Sequence, residues 1–257
     1  MTIPDLPPYS AVVVVDMKDY SGHKGADHRM LTELIPVVLE RTFALIGRLD
    51  IWENREFPDS TGDGYAIGFP PQVLPTLIGP FLDKLQQELE YQDQVLRAGD
   101  RKTRLRMRVA ITVGPLERAD GDGDGTGNAR VEAHRLVDAE PVRRLLDSSD
   151  PDVTFVAAIL SDRVYRDVVE AGYSPKPVTQ YVAAPASVKT YSGNAYLHCP
   201  KPSGDVLSTG YAEAEQPKMP EKKKDRTPKY SNHNEFSGTA HGTVIQAGRI
   251  GRVNHDK

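Results

Sequence analysis

Residues 59–69 read Asp-Ser-Thr-Gly-Asp-Gly-Tyr-Ala-Ile-Gly-Phe. Glycines stand on both sides of Asp63, which predicts a tight turn or a close approach of the chain to a ligand. The apolar residues that follow alternate with a period of two, which is typical of a strand, with Ala66 pointing inward and the larger apolar side chains outward. A carboxylate held at a strand end by glycines is a candidate Mg²⁺ ligand. An ordinary Asp-Gly hairpin turn is the alternative.

A second stretch, residues 11–21, reads Ala-Val-Val-Val-Val-Asp-Met-Lys-Asp-Tyr-Ser. Its four valines predict a buried strand, and the apolar run stops at Asp16. Burial of a carboxylate is costly unless the group has a partner. Asp16 and Asp63 together therefore predict a site for two divalent ions, which activate an attacking oxygen and stabilise a transferring phosphoryl group.

These two stretches resemble the metal-binding motifs of the class III nucleotidyl cyclases, the catalytic domain of adenylate and guanylate cyclases. Residues 108–114 are similar to the family's Arg-Ile-Gly-Ile-His-x-Gly strand, with Thr112 where His is usual, and residues 127–136 resemble its Gly-x-x-Val-Asn-x-Ala-x-Arg-Leu segment. The resemblance covers about residues 9–200. It implies an α+β domain in which helices surround a mixed, mostly antiparallel sheet.

The resemblance also implies roles for individual residues. Asp16, Met17 and Asp63 correspond to the ligands of two Mg²⁺ or Mn²⁺ ions. Arg135 corresponds to the arginine that stabilises charge in the transition state, and Lys189 to the lysine that contacts the terminal phosphates. In the family one subunit supplies the metal ligands, and the other supplies the arginine and lysine. Because this chain carries both sets, a homodimer with composite sites is expected.

Besides Thr112, three positions need comment against the family pattern. Asp59 and Asp124 occupy the base-reading positions, where adenylate cyclases have Lys and Asp and guanylate cyclases have Glu and Cys. Ionised carboxylates only accept hydrogen bonds, which disfavours adenine N1 and suits a base that donates, such as cytosine, uracil or guanine. Val131 replaces the family's Asn, and Asn128, one turn earlier, is the candidate substitute.

A short cyclase with such base-reading residues resembles the bacterial pyrimidine cyclases of anti-phage defence, the Pycsar type. This resemblance implies that UTP or CTP is converted to cyclic UMP or cyclic CMP and pyrophosphate, and that the product is a second messenger for an effector. A purine cyclase, with guanylate favoured over adenylate, is the alternative among enzymes. A catalytically weak nucleotide-binding adaptor that signals through the C-terminal tail is the alternative from another class.

The composition of the chain changes after residue 200. Residues 201–234 are rich in proline and charge and poor in apolar residues, which predicts a disordered linker. Residues 235–257 contain Val-Ile-Gln-Ala-Gly at 244–248, which resembles the RIP homotypic interaction motif and bacterial amyloid-signalling motifs. Such a segment can stack in register with a glutamine ladder and bind an effector or another partner. A loose glycine-rich tail is the alternative.

The overall composition narrows the class of protein. The chain has 257 residues, with 32 basic and 36 acidic side chains and a net charge of −4, so no general affinity for nucleic acid is expected. Its one cysteine excludes an intrachain disulfide and a cysteine-based zinc site. No leader peptide is evident, and no apolar run approaches the roughly 18 residues of a membrane span. A cytoplasmic protein without a membrane span is therefore expected.

Hydrophobic periodicity predicts the order of the remaining elements. Pro36 is expected to kink or delay the first helix. The predicted helices span 27–48, 73–97, 128–147 and 161–171, and the predicted strands span 11–17, 49–57, 65–70, 104–114, 153–160, 177–183 and 194–199.

Overall fold

The computed structural model describes residue 3 and residues 5–99, 104–117, 125–189 and 191–210. Asp124, the predicted linker from residue 211 onward and the predicted interaction motif at 235–257 lie outside the described residues. None of the helices within the described ranges combines the length and the apolar character needed to cross a lipid bilayer.

One mixed sheet lies at the centre of the described domain. The strands in chain order are β1 (Tyr9–Met17), β2 (Glu56–Ser60), β3 (Gly64–Phe69), β4 (Met107–Pro115), β5 (Val156–Ser161), β6 (Val182–Ala183), β7 (Ala186–Val188), β8 (Tyr191–Gly193) and β9 (Ala195–His198). Seven of them pair in the order β2-β3-β1-β4-β5-β9-β6, and β7 and β8 form a separate hairpin. Only β4 and β5 run parallel in the large sheet. The predicted mixed, mostly antiparallel sheet is confirmed.

Helices cover both faces of this sheet. They are α1 (Gly25–Leu45), α2 (Leu49–Glu53), α3 (Leu74–Thr76), α4 (Leu82–Ala98), α5 (Asn128–Val137), α6 (Glu140–Asp147), α7 (Asp162–Val164) and α8 (Asp205–Thr209). Val13 and Val15 pack into one core with α1 and α4. Val12 and Val14 pack into a second core with α5 and α6. The run of four valines is therefore apolar throughout because β1 is buried on both sides.

The prediction that the larger apolar residues of β3 point outward is wrong. Ile67 and Phe69 are 1% and 0% exposed, and they belong to the core formed with α1 and α4. Ala66 faces the opposite core, as the period of two requires. The alternation was predicted correctly, but it separates two buried faces rather than a buried face from a solvated one.

Prolines account for several differences between the predicted and observed helices. The predicted helix at 128–147 is two helices in the structure. Helix α5 ends at Val137, and α6 has Pro141 in its first turn, where proline is tolerated but could not continue a preceding helix. A π-helical turn, Leu77–Phe81, contains Pro80 and precedes α4. In contrast, α1 continues through Pro36. Residues 49–53, predicted as part of a strand, form α2, and β2 begins only at Glu56.

Candidate active site

The turn between β2 and β3 brings Asp63 to the end of β1. The main-chain N–H of Met17 donates to the carbonyl oxygen of Asp63 at 2.8 Å, and Asp16 lies opposite Gly64 in the antiparallel register. A Cβ at Gly64 would lie 2.5 Å from a main-chain oxygen of β1, so no other residue fits there without a shift. Gly62 has a φ of +92°, which also favours glycine. The two predicted metal-binding aspartates are therefore neighbours at one end of the sheet.

Arg108 on β4 contacts Asp16 from the other side. Its Nε donates to Asp16 Oδ1 at 3.0 Å, and a terminal nitrogen of the guanidinium contacts the same oxygen. Burial raises the pKa of the Asp16 carboxyl, Arg108 opposes that rise, and the nearby charge of Asp63 adds to it. The net effect is a raised pKa, so Asp16 is a half-buried carboxyl whose ionised form depends on a positive partner.

The donor set at this end of the sheet fits a hard divalent cation. Within the described part of the chain, the Asp63 carboxylate makes no hydrogen bond or ion pair, and no group of three or more His, Cys, Asp and Glu side chains surrounds a common point. Mg²⁺ commonly takes one or two carboxylates and completes its shell with substrate phosphates. The Met17 side chain is 2% exposed and lies in the core, so Met17 has only its main chain to offer a metal.

The predicted base-reading residue Asp59 has a partner that the sequence analysis missed. Arg130, in the first turn of α5, donates a hydrogen bond to Asp59 Oδ2 at 2.5 Å. The Arg130 side chain is 13% exposed, whereas that of Asp59 is 42% exposed. This edge of the site therefore offers a donor, Arg130, beside the acceptor Asp59, and the base-reading role of Asp59 stays a prediction. Asp124 lies outside the described residues.

Phe57 narrows the space behind this ion pair. It lies in β2, where the pairing with β3 is irregular between Glu56 and Asp59, and it has a left-handed φ of +51°. Its ring lies against Gly125, where an added Cβ would come within 2.4 Å of the ring. The cavity lined by Phe57, Gly125 and Arg130 is too narrow to hold a water molecule.

Three residues predicted around the substrate share one stripe of α5. Asn128, Val131 and Arg135 are spaced three and four residues apart, which places them on the same side of a helix. Asn128 and Val131 are exposed and Arg135 is half-buried, while Ala129 and Ala133 face the core. Among the described residues, no hydrogen bond or ion pair joins Arg135 to Asp16 or Asp63.

The position of α5 is fixed by two residues of β4. Thr112, at the position where the family has His, donates its hydroxyl to the carbonyl oxygen of Ala129 at 2.8 Å. A Cβ at Gly114 would lie 3.0 Å from the Cβ of Ala129, so the helix approaches the strand closely at this glycine. The threonine is fully buried, and it satisfies its hydroxyl inside the fold rather than at the site.

Lys189 lies at the tip of the β7–β8 hairpin. It is exposed and has a φ of +53°. The hairpin is tied to α5 because Tyr191 Oη donates to Glu132 Oε1 at 3.0 Å. The structure thus places Lys189 and Arg135 on neighbouring elements, and Asp16 and Asp63 together at the strand ends.

Comparison with solved structures identifies the fold. The domain is similar to a bacterial light-regulated adenylyl cyclase, with a TM-score of 0.50 and 14% identity over 81% of this chain and 57% of that one. It is also similar to the adenylyl cyclase CyaB from P. aeruginosa, with a TM-score of 0.44 and 14% identity over 74% and 92% of the two chains. For the guanylyl cyclase Cya2 the TM-score is 0.49, with 11% identity over 77% and 92%.

The described domain has the nucleotidyl cyclase fold. No protein-family profile matches the sequence, and no curated protein sequence matches it either. The assignment of the cyclase fold therefore rests on the architecture of the domain.

Several residues of this cyclase-like site were not assigned a role from the sequence. Arg108 was visible only as the first residue of a strand motif, and Arg130 only as a neighbour of Val131. Phe57 and Tyr191 carried no signal, because their importance depends on contacts across elements. A charged residue one position from a predicted substrate residue was the available clue for Arg130 and Glu132.

Proposed function

We propose that this protein is a nucleotidyl cyclase, a phosphorus–oxygen lyase that converts a pyrimidine nucleoside triphosphate, UTP or CTP, to the 3′,5′-cyclic monophosphate and pyrophosphate. The observation that carries the proposal is the pair Asp16 and Asp63, held side by side by the glycines of the β2–β3 turn on a cyclase fold. Bound at these carboxylates, two Mg²⁺ or Mn²⁺ ions would lower the pKa of the ribose 3′-hydroxyl and neutralise the triphosphate.

The chain's own cations complement the reaction. The 3′-oxygen attacks the α-phosphorus, the bond from that phosphorus to the bridging oxygen breaks, and pyrophosphate leaves. In this proposal Arg135 donates to the oxygens on which negative charge grows, because a planar guanidinium matches a phosphoryl group. Lys189 binds the terminal phosphates, and Asn128 contacts the substrate from the first turn of α5.

The proposed preference for a small base is supported by Phe57, whose ring lies behind the Asp59–Arg130 ion pair. Asp59 accepts from a base N–H, and Arg130 donates to a base carbonyl or ring nitrogen. Because every base offers such a pair of groups, hydrogen bonding alone does not exclude purines. Phe57 fills the space behind this pair, so a base that contacts Asp59 and Arg130 finds no additional depth there for a second ring. We propose that Asp124 belongs to the same base-reading edge.

Guanylate cyclase activity is the second candidate, and the Asp59–Arg130 pair is the observation that favours it. Guanine presents an acceptor O6 beside the donors N1–H and N2–H₂, so it matches Arg130 and Asp59 directly. The ring of Phe57 behind the ion pair weighs against guanine. Adenylate activity is less well supported, since the family's lysine is replaced by Asp59.

The proposed biological setting is bacterial antiviral defence, with the cyclic nucleotide as a second messenger. Its support is the resemblance to pyrimidine cyclases together with the interaction motif predicted at 235–257, which would recruit an effector or another partner. The enzyme is proposed to act in the cytoplasm as a homodimer, because one chain holds both halves of the site on different elements.

The test of the substrate is direct. Purified protein is incubated with Mn²⁺ and equal concentrations of ATP, GTP, CTP and UTP, and the cyclic products are identified by mass spectrometry. A dominant cyclic UMP or cyclic CMP supports the proposal, and a dominant cyclic GMP supports the second candidate. Nucleotide binding without any product would instead support the adaptor interpretation, in which the tail is the output.

Asp63→Asn tests the metal assignment. The substitution keeps the size of the side chain and removes its charge, so we expect turnover to fall by at least about a hundredfold while the circular dichroism spectrum is unchanged. The matched control is Asp167→Asn, an exposed carboxylate in the helical segment Tyr165–Glu170, which should retain full activity. Full turnover by Asp63→Asn would contradict the assignment.

A further inference from the structure

The β7–β8 hairpin stands apart from the seven-stranded sheet, so something else must hold it in place. Ala186 pairs with Gly193 and Val188 with Tyr191 across the hairpin, and Lys189 lies in the turn between them. Each strand has only three residues, and an isolated hairpin of this size is marginally stable in water.

One side-chain hydrogen bond connects this hairpin to α5. Tyr191 Oη donates to Glu132 Oε1 at 3.0 Å, and both side chains are partly buried. Gly193 makes room for the phenol, because a Cβ there would lie 2.9 Å from Tyr191 Oη. Ala186 lies in the core beneath α5 and α6, and Val188 and Tyr191 pack against that core.

The electrostatics of the two side chains favour the Tyr191–Glu132 hydrogen bond. Burial raises the pKa of the Glu132 carboxyl, and the hydrogen bond from Tyr191 opposes that rise. Burial and the Glu132 charge together raise the pKa of the Tyr191 phenol, so the phenol keeps its proton and remains the donor. If Tyr191 moved away, the partly buried Glu132 carboxylate would lose its hydrogen-bond donor without regaining contact with water. Separation of the two side chains therefore costs free energy.

We propose that Glu132 and Tyr191 are a positioning pair. Their hydrogen bond holds the β7–β8 hairpin against α5 and thereby keeps Lys189 within reach of the terminal phosphates of the substrate. The inference rests on the proposed function, because it assigns Lys189 to the substrate phosphates. Glu132 follows Val131 on α5, so the hairpin is fastened next to the stripe that carries Arg135. In this proposal Glu132 and Tyr191 act through Lys189 and are positioning residues, not catalytic ones.

The test uses Tyr191→Phe in the full-length protein, which removes the hydroxyl and keeps the ring. We expect the KM for the preferred triphosphate to rise roughly tenfold with kcat changed much less, since the loss is in phosphate binding. In a Lys189→Ala background, Tyr191→Phe should raise KM no further, because the residue it positions is gone. The matched control is Tyr181→Phe, which removes a phenol that is bonded to Ser174 and lies in the other core, with α1 and α4, and it should leave KM unchanged.

Hydrogen exchange tests how firmly the hairpin is held, independently of turnover. In Tyr191→Phe, but not in Tyr181→Phe, the amides of residues 186–193 should exchange faster, whether or not substrate is present. An unchanged KM in an active Tyr191→Phe variant would overturn the positioning role and leave the proposed function intact. An equal rise of KM with and without Lys189 would overturn it as well. Absence of any turnover by the wild-type protein would overturn the proposed function and the inference that rests on it.

Discussion

Phe57 shows how a single residue can set the size of a site. Its left-handed backbone is unfavourable for a residue with a bulky side chain, at a cost of about 1 kcal/mol or more. The cost persists because the ring fills the space between Gly68 and Gly125, where neither neighbour carries a Cβ. In the proposed site the side chain therefore occupies volume that a larger base would otherwise enter.

Phe57→Ala should shift the enzyme toward purines. Removing the ring enlarges the cavity beneath Arg130, so we expect the ratio of kcat/KM for GTP to kcat/KM for UTP to rise by about tenfold, within the range of pocket-based discrimination. The measurement is competition between the two triphosphates. Phe57→Leu, which keeps most of the apolar volume, should shift the ratio less. If Phe57→Ala lost thermal stability but kept the wild-type ratio, Phe57 would be a packing residue only.

At the scale of elements, the sequence predicted the long apolar patterns and missed the short or interrupted ones. Strand β1 and helices α1 and α4 are long enough for their apolar pattern to show in the sequence. The Asp-Gly turn is recognised from its residue types instead. The three-residue strands β7 and β8 are too short to carry a period. The ion pairs at Asp16 and Asp59 join residues 92 and 71 positions apart, and spacing along the chain does not encode such contacts.

The π-helical turn before α4 contains Gly79 and Pro80, and its packing was not predicted from the sequence. Pro80 cannot donate a main-chain hydrogen bond, and a widened turn accommodates the missing donor. Gly79, next to it, faces Pro175, and a Cβ at Gly79 would lie 2.2 Å from the Pro175 Cγ. The helix and the loop that carries Pro175 can approach this closely only because position 79 has no side chain.

Gly79→Ala should therefore destabilise the fold, although alanine is the better helix former. Overpacking of this kind typically costs about 1–3 kcal/mol, which corresponds to a fall in Tm of roughly 2–10 °C for a domain of this size. Gly25→Ala is the matched control, because it adds the same methyl group to α1 where no atom lies within 4 Å. Its Tm should stay within about 2 °C of wild type. Equal melting temperatures for both variants would contradict the predicted clash.

At the scale of the whole molecule, the two halves of the proposed site belong to different parts of the sheet. Asp16 and Asp63 lie at the joined ends of β1 and β3, where Arg108 contacts Asp16. Arg135 lies on the outward stripe of α5, and no described hydrogen bond or ion pair connects it to either aspartate. A second copy of the chain, related by a twofold axis, would supply the missing half to each site.

Complementation between inactive variants tests this arrangement. Asp63→Ala and Arg135→Ala should each be inactive as homodimers, because every composite site lacks one essential group. After the two are mixed, unfolded and refolded together, half of the dimers pair one variant with the other, and each of these has one intact site of two, so about a quarter of wild-type activity should return. The control is Asp63→Ala refolded with itself, which should recover none. If the mixture stayed inactive while sedimentation showed dimers, the aspartate and the arginine would belong to a site within one chain, and the composite arrangement would be wrong.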